Sequence, residues 1–414
     1  MRSADLDPRG HLQPAAPRPL APRRILMTAD TMGGVWSYAL ELAAALATRG
    51  VTTALAAMGG PPSPAGRAAA LAVPGLDLFE SSYRLEWMDD PWDDVSRAGE
   101  WLLSVEARVR PDLIHLNSYC HGALPWRAPV VMVAHSCVLS WWRAVLGDPA
   151  PIRYERYRAE VTRGLRAATV VAAPTAAMLH CLAAHYGAST AGRVIPNGRD
   201  RRRFRSVTKE PFVLAAGRLW DAAKNLAALA AAAPRVSWPI LLAGSDAHPE
   251  GDPGTPTIAR PPSPSEVYAL GWQEQDDLAR WMSRASIYAM PARYEPFGLS
   301  ILEAGLSGCA LVLGDIPSLR EVWRDAAVFV SPDDPAALGA AVQRLIDEAP
   351  LRAMLGVRAR RRAVRFAPLA MARRYLDAYR DALATGIAAA SPAPLPASLS
   401  PFGLRPAPPE EPCA

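Results

Sequence analysis

Glu295 and Glu303 stand eight positions apart, on either side of a turn sequence and an apolar run. Pro296 and Gly298 predict a turn that leads into a helix, so both carboxylates would meet the free backbone N–H groups of one helix N-terminus. Such N–H groups and the helix dipole suit phosphate oxygens, whereas ionised carboxylates accept strong hydrogen bonds from hydroxyl groups. The run therefore predicts a site for a sugar and its phosphates.

Glu303 also has a purely structural interpretation. Together with Ser300 it spells S-x-x-E, the pattern of a capping box in which the glutamate binds the backbone of its own helix. The local sequence leaves both interpretations open.

Two cations flank a loop that follows the apolar run 212–216. Arg218 and Lys224 could neutralise the negative charge that a diphosphate accumulates as it leaves, if no metal ion does so. A pair of surface cations beside a loop is the alternative interpretation.

Two further candidates lie at the ends of predicted strands. Gly33 and Gly34 stand between a predicted strand, 24–29, and a predicted helix, 35–49, where the absence of a Cβ lets a ligand approach the backbone. A tight turn alone would explain these glycines equally well. His135 follows the apolar run 130–134. His115, near the end of another predicted strand, is the alternative candidate for a histidine in the site.

The run from Glu295 to Glu303 resembles the E-x7-E signature of the retaining glycosyltransferases of family GT4. The order of the other motifs is also similar to that family: the glycine pair comes first, and Gly217-Arg218-Leu219 followed by Lys224 comes later. Asn225 departs from the pattern, because the family more often has glycine after the lysine. The resemblance extends from about residue 24 to residue 384.

The resemblance implies a GT-B fold, an α/β architecture in which two Rossmann-like doubly wound domains face each other across a cleft. It implies a metal-independent retaining transferase of hexosyltransferase type that moves a sugar from a nucleotide sugar to a hydroxyl of a glycan, lipid or small molecule. A GT-B sugar phosphorylase, a nucleotide-sugar epimerase and a catalytically silent GT-B binding scaffold remain alternatives.

The resemblance also implies roles for individual residues. Catalytic roles fall to Glu295, His135, Arg218 and Lys224, with His135 beside the donor sugar. The donor-binding residues would be Gly33, Gly34, Arg218, Lys224, Phe297, Gly298, Leu299 and Glu303, with the ribose hydroxyls on Glu303 and the pyrophosphate on the two cations.

Short apolar runs of strand length alternate with longer segments of helical period in both halves of the chain, which is typical of parallel sheets covered on both faces. We expect an N-terminal acceptor domain over 23–196, a linker over 197–210 and a nucleotide-sugar domain over 211–368. By resemblance, a last helix over 369–386 would pack back on the first domain. The Pro- and Ala-rich segments 1–22 and 387–414 are expected to be disordered tails.

Composition limits the remaining possibilities. No apolar run approaches the ~20 residues that span a bilayer, and the N-terminus has no apolar segment typical of a secretory signal. We therefore expect a cytoplasmic protein. Arginine clusters at 199–205 and 358–365 leave open a peripheral contact with an anionic membrane, whereas nucleic acid is not expected as a partner because no recognition motif accompanies them.

No cofactor or bound metal is expected. The five cysteines lack C-x2-C spacing. An acidic group precedes a predicted helix and consists of Asp89, Asp90, Asp93 and Asp94. Carboxylates at this place stabilise a helix N-terminus, and this role explains them more simply than metal binding does.

Overall fold

The computed structural model describes residues 21–187, 192–245 and 267–390. The two segments that were expected to be disordered tails lie largely outside the described residues.

The first half of the chain forms a seven-stranded sheet in which every described pairing is parallel. The strand order is β3-β2-β1-β4-β5-β6-β7. The strands are Arg24–Asp30 (β1), Thr52–Met58 (β2), Leu76–Glu80 (β3), Leu113–Leu116 (β4), Val130–Val133 (β5), Val170–Ala173 (β6) and Arg193–Val194 (β7).

The second half forms a six-stranded parallel sheet with the order β10-β9-β8-β11-β12-β13. Its strands are Glu210–Ala216 (β8), Ile240–Ala243 (β9), Val267–Gly271 (β10), Ala285–Met290 (β11), Ala310–Gly314 (β12) and Val328–Val330 (β13). The central strands β11 and β12 are buried along their whole length, as expected for a sheet covered on both faces.

Helices connect the strands and cover the sheets. In the first half they are Gly34–Ala47 (α1), Pro64–Leu71 (α2), Trp92–Val109 (α3), Val138–Leu146 (α4), Glu155–Ala167 (α5) and Ala176–Tyr186 (α6). In the second half they are Leu226–Ala232 (α7), Gln275–Arg284 (α8), Leu299–Leu306 (α9), Pro317–Trp323 (α10), Pro335–Asp347 (α11), Ala349–Ala363 (α12) and Pro368–Ala390 (α13). The two-sheet α/β architecture predicted from the sequence is therefore confirmed.

The last helix, α13, returns to the first half of the chain and packs against α1. Tyr375 and Tyr379 of α13 are fully buried there. The Tyr379 hydroxyl lies 2.7 Å from Nδ1 of His115 in β4. Apolar burial and this hydrogen bond together hold the C-terminal helix on the N-terminal sheet.

Polar contacts also join the two halves directly. The Glu321 carboxylate on α10 accepts hydrogen bonds from the backbone N–H groups of Ala176 and Ala177, at 2.8 and 3.1 Å, and so caps the N-terminus of α6. The Tyr294 hydroxyl accepts a hydrogen bond from the backbone N–H of Cys137 at 3.1 Å. These contacts join the two halves of the chain.

The arginine clusters are not exposed throughout. Arg199 is buried, and the Arg360 and Arg362 guanidinium groups donate to backbone carbonyls of Leu306 and Val322. Membrane contact through these clusters remains a prediction. Within the described ranges, no helix combines the length and the apolar character needed to cross a bilayer.

Candidate active site in the cleft between the domains

Lys224 and Glu295 form an ion pair at the carboxyl ends of β8 and β11. The Lys224 Nζ lies 2.5 Å from Oε2 of Glu295, and both side chains are largely buried. The other carboxylate oxygen of Glu295, Oε1, accepts a hydrogen bond from the Phe297 backbone N–H at 3.3 Å. The sequence placed these residues 71 positions apart on two motifs, and the fold brings them into contact.

Arg218 lies beside this pair and remains partly exposed. Its Nη2 donates to Oδ2 of Asp221 at 2.7 Å, and Asp221 also accepts a hydrogen bond from Nε1 of Trp141 in the opposite domain, at 3.0 Å. Burial alone would raise the pKa of Asp221, but Arg218 and Lys224 together hold that pKa below its usual value. Asp221 is therefore an anion that orients Arg218 toward the cleft.

The glycine pair faces Arg218 and α9 from across the cleft. A Cβ added to Gly33 would lie 4.0 Å from Nη1 of Arg218, and one added to Gly34 would lie 3.1 Å from Cδ1 of Leu299. The absence of side chains therefore permits this close approach between the start of α1 and the second domain.

The turn before α9 is the one that the sequence predicted. Gly298 is the residue before the helix and has φ +85°, a left-handed conformation that favours glycine. The Phe297 side chain is buried and packs edge-on against Phe366. Buried packing thus anchors the turn, and the backbone at the start of α9 faces the cleft next to Glu295.

Glu303 does not form the capping box that its spacing with Ser300 allowed. Helix α9 has no side-chain cap, and the Ser300 hydroxyl instead accepts a hydrogen bond from Tyr288 at 2.9 Å. The Glu303 carboxylate pairs with the buried guanidinium of Arg199, whose Nη2 lies 2.5 Å from Oε1. The structural interpretation of Glu303 as a cap is wrong.

Asn225 explains how the loop accommodates its departure from the GT4 pattern. Its φ is +55°, a left-handed conformation that asparagine tolerates better than most residues other than glycine. Its amide donates to the carbonyls of Pro291 and Pro332 at 2.9 and 2.7 Å. The asparagine therefore supplies the same backbone turn as glycine and adds two hydrogen bonds.

The two histidine candidates have different surroundings. His115 is fully buried and bonded to Tyr379, whereas His135 is half-buried and its Nε2 lies 2.9 Å from Oδ1 of Asn117. Burial lowers the pKa of each to about 3, so both are neutral near pH 7. His115 thus has a structural role in fastening α13, and His135 is the more accessible of the two.

Sequence reasoning missed a small cavity in the first domain at the carboxyl end of β1. It has a volume of about 50 Å³, and its lining includes Asp30, Glu86, Trp87, Asn117 and His121. Burial raises the pKa of Asp30, although nearby Arg218 opposes that rise. In the sequence, the position of Asp30 directly after a predicted strand was a signal for this cavity. Glu86 gave no such signal, because it lies in a long loop.

The acidic group at 89–94 lies at the start of α3, with Asp93 and Asp94 in the first helical turn. Asp94 accepts a hydrogen bond from the backbone N–H of Arg84 at 2.9 Å. In the parts of the chain that the structure describes, no group of three or more histidine, cysteine, aspartate or glutamate side chains is arranged to hold a metal ion.

Two parallel sheets with a cleft at their strand ends, closed by a last helix that returns to the first sheet, define the GT-B class of protein. Solved structures share this fold. Sucrose-phosphate synthase from Thermosynechococcus elongatus superimposes with a TM-score of 0.73 at 21% identity, covering 88% of this chain and 100% of that one. Anabaena HepE in complex with UDP-glucose gives 0.67 at 17% identity, covering 88% and 99%.

Family profiles assign the chain more narrowly. The Glycosyltransferase Family 4 profile matches residues 32–203, and the profile described as Glycosyl transferases group 1 matches residues 210–348. The chain belongs to glycosyltransferase family GT4, as the E-x7-E run and the other motifs predicted.

Curated relatives match over shorter stretches. D-inositol 3-phosphate glycosyltransferase of Nocardioides sp. is 34% identical over 112 residues, which are 27% of this chain and 24% of that protein. O-antigen chain mannosyltransferase B of Escherichia coli is 29% identical over 132 residues, 32% and 34% of the two chains. The matched stretch spans only about a quarter to a third of the length of these relatives.

Proposed function

We propose that the protein is a retaining glycosyltransferase that transfers a sugar from a nucleotide sugar to a hydroxyl group of an acceptor, without a metal ion. The observation that carries this proposal is the group formed by Lys224, Glu295 and Arg218 beside the N-terminus of α9. Two cations, a carboxylate and helix-end amides in one cleft match the charges of a diphosphate and the hydroxyls of a sugar.

The donor would lie across the cleft with its nucleotide on the second domain. Arg218 and Lys224 would bind the pyrophosphate, and Lys224 would exchange part of its contact with Glu295 for a phosphate oxygen. Glu295 and the amides of Phe297, Gly298 and Leu299 would then hold the sugar, and Glu303 the ribose. Because the cations and the backbone N–H groups are already in place, they stabilise the charge that develops on the leaving diphosphate without having to move during the reaction.

His135 and the glycine pair would contribute from the first domain. His135 is neutral near pH 7, so it can donate or accept a hydrogen bond beside the donor sugar without adding a charge. Gly33 and Gly34 leave room for the donor next to Arg218. The acceptor hydroxyl would approach the sugar from the same face from which the diphosphate leaves, and such an approach would give retention.

Donor binding and turnover test the proposal together. The protein is heated with UDP-, GDP-, ADP- and dTDP-sugars in the presence of EDTA, and the donor that raises the melting temperature is then used to measure release of nucleoside diphosphate. We expect one donor to raise the melting temperature and Glu295→Gln to lower its turnover about 100-fold. A metal requirement, or full turnover by Glu295→Gln, would contradict the proposed site.

The anomeric configuration of the product separates retention from inversion by NMR. A sugar phosphorylase would instead release sugar phosphate from a disaccharide in phosphate buffer, and an epimerase would change the sugar of the donor without an acceptor. A silent scaffold would bind a nucleotide sugar but release no diphosphate. Each alternative therefore gives an outcome that distinguishes it from a transferase.

A further inference from the structure

Arg199 lies in the connection between the two domains and is only 1% exposed. Its guanidinium contacts two carboxylates that belong to different domains: Nη1 lies 3.1 Å from Oε1 of Glu41 on α1, and Nη2 lies 2.5 Å from Oε1 of Glu303 on α9. An exposed arginine in a linker was the sequence-based expectation, and the structure places it at the centre of a buried three-residue ionic group.

Other contacts fix the position of Arg199. Its backbone N–H donates to the carbonyl of Phe366 at 3.0 Å, and its guanidinium carbon lies 5.4 Å from the centre of the Phe204 ring. Glu41 also accepts a hydrogen bond from the backbone N–H of Asp200 at 3.4 Å. The cation therefore cannot leave Glu303 without disturbing both the linker and α1.

A carboxylate as buried as that of Glu303 is costly to the fold unless a cation compensates its charge. Arg199 supplies that cation. Its ion pair engages Oε1 of Glu303, and the same carboxylate carries a second oxygen, Oε2, that can accept a hydrogen bond from a ribose hydroxyl.

We propose that Arg199 is a positioning residue for the donor: its ion pair holds the Glu303 carboxylate in the orientation in which it can recognise the ribose hydroxyls of a nucleoside diphosphate. This inference deepens the proposed function and rests on it. The opposite end of the guanidinium contacts Glu41 of α1, and Arg199 therefore also connects the ribose-binding carboxylate to the first domain.

The test compares a ribonucleotide with its 2′-deoxy counterpart. Of UDP, GDP and ADP, the nucleotide that binds the wild-type protein most tightly is selected. The dissociation constants of this nucleotide and of its 2′-deoxy form are then measured by calorimetry. We expect the wild type to bind the ribonucleotide about tenfold more tightly, since a hydrogen bond to an ionised group is lost in the deoxy form. In Arg199→Met this ratio should fall below about threefold, because the Glu303 carboxylate loses the ion pair that holds it toward the ribose.

Two control variants isolate the effect. Arg202→Met removes a neighbouring arginine that is exposed and pairs with Asp200, so the ratio should remain near tenfold. Glu41→Gln removes the other carboxylate but leaves Arg199 on Glu303, so the ratio should also persist. If Arg199→Met does not fold, the double variant Glu41→Gln/Arg199→Met removes a cation together with one anion, and its ratio should likewise fall below about threefold.

The outcomes separate this inference from the proposed function. If a folded variant without Arg199 still discriminates about tenfold, Arg199 only stabilises the fold and the inference is wrong, whereas the proposed function stands. If none of the three nucleoside diphosphates binds the wild type, the inference is wrong, and the result with the dTDP-sugar in the melting and turnover experiment decides separately whether the proposed function stands. If only the variants that lack Arg199 lose the preference for the ribonucleotide over its 2′-deoxy form, the result supports both the inference and the proposed function.

Discussion

At the scale of the residue, the two lysines of the chain have different roles that the sequence alone could not distinguish. Lys224 pairs with Glu295 in the cleft, whereas Nζ of Lys209 donates to the backbone carbonyls of Met282, Ser283 and Ser307 at 2.8 to 3.3 Å. Burial lowers the pKa of Lys209. One lysine can therefore serve the leaving group, and the other satisfies carbonyls at the base of the second sheet.

Matched substitutions of the two lysines should separate catalysis from stability. We expect Lys224→Met to lower kcat about 100-fold, because a cation that stabilises the leaving diphosphate is lost. Lys209→Met should change kcat less than about threefold but lower the free energy of unfolding by about 1–3 kcal/mol, because three carbonyls lose their donor. Both are measured by initial rates below the melting temperature and by urea unfolding. Equal losses of kcat in the two folded variants would refute the assignment.

The candidate site could be predicted from sequence only where a residue belongs to a local motif. Glu295, Arg218 and Lys224 were found because their motifs follow strands, and strand ends meet at one edge of a sheet. Arg199 was predicted to be part of an exposed cluster, because its two partners lie 158 and 104 positions away and only the fold brings them together. Long-range pairing of charges leaves no periodic signal in the sequence.

At the scale of the element, the start of α1 and the start of α9 approach so closely that Gly34 and Leu299 are in contact across the cleft. Gly34→Val should force these helices apart, because even its Cβ would lie 3.1 Å from Cδ1 of Leu299. We expect the KM for the donor to rise about tenfold. The measurement is a donor titration at saturating acceptor.

A second substitution tests whether the steric contact is the cause. Leu299→Ala removes the obstructing methyl groups but keeps the backbone amide, so Gly34→Val/Leu299→Ala should recover most of the lost affinity. If the fold-increase in KM of the double variant equals the product of the fold-changes of the two single variants, the two residues act independently, and the helices do not meet in this way in solution.

For helices and strands with a strong apolar pattern, the predicted ends lie within a few residues of the observed ones. Elements with a weak apolar pattern were not predicted. Strand β1 is buried in its interior and β5 is buried and apolar along its whole length, and both were predicted, at 24–29 and 130–134. Strand β3 and helix α2 were missed because β3 lies at the sheet edge, is half-exposed and alternates polar with apolar residues, and α2 has a single buried residue. Burial on both faces is what makes a strand recognisable in sequence.

At the scale of the whole molecule, the contacts that set the two domains relative to each other come from residues without any motif. Glu321 caps α6 of the opposite domain, and Asp221 accepts a hydrogen bond from Trp141. The sequence predicted two sheets and a cleft, because each sheet is a local alternation of strands and helices. It could not predict which side chains bridge the cleft, because that depends on the final orientation of two separately folded sheets.

The low pKa values of His115 and His135 make the stability of the whole molecule dependent on pH. The pKa of His115 falls from the usual 6.5 to about 3 on folding, and that of His135 falls to the same value. The unfolded chain therefore binds protons below about pH 6.5 that the folded protein does not accept until about pH 3. The contribution of these two histidines to stability is fully present above about pH 6.5 and is lost progressively as the pH falls toward 3.

We expect the melting temperature to fall between pH 7.5 and pH 5.5, a window above the range in which carboxylates titrate. His115→Gln should lower the melting temperature at both pH values, because the bond to Tyr379 is altered, but should reduce the difference between them. His180 is exposed on α6, so His180→Gln should leave the difference unchanged. Scanning calorimetry at the two pH values measures all three proteins. If His115→Gln keeps the full wild-type difference, His115 is not the group that couples the attachment of α13 to pH.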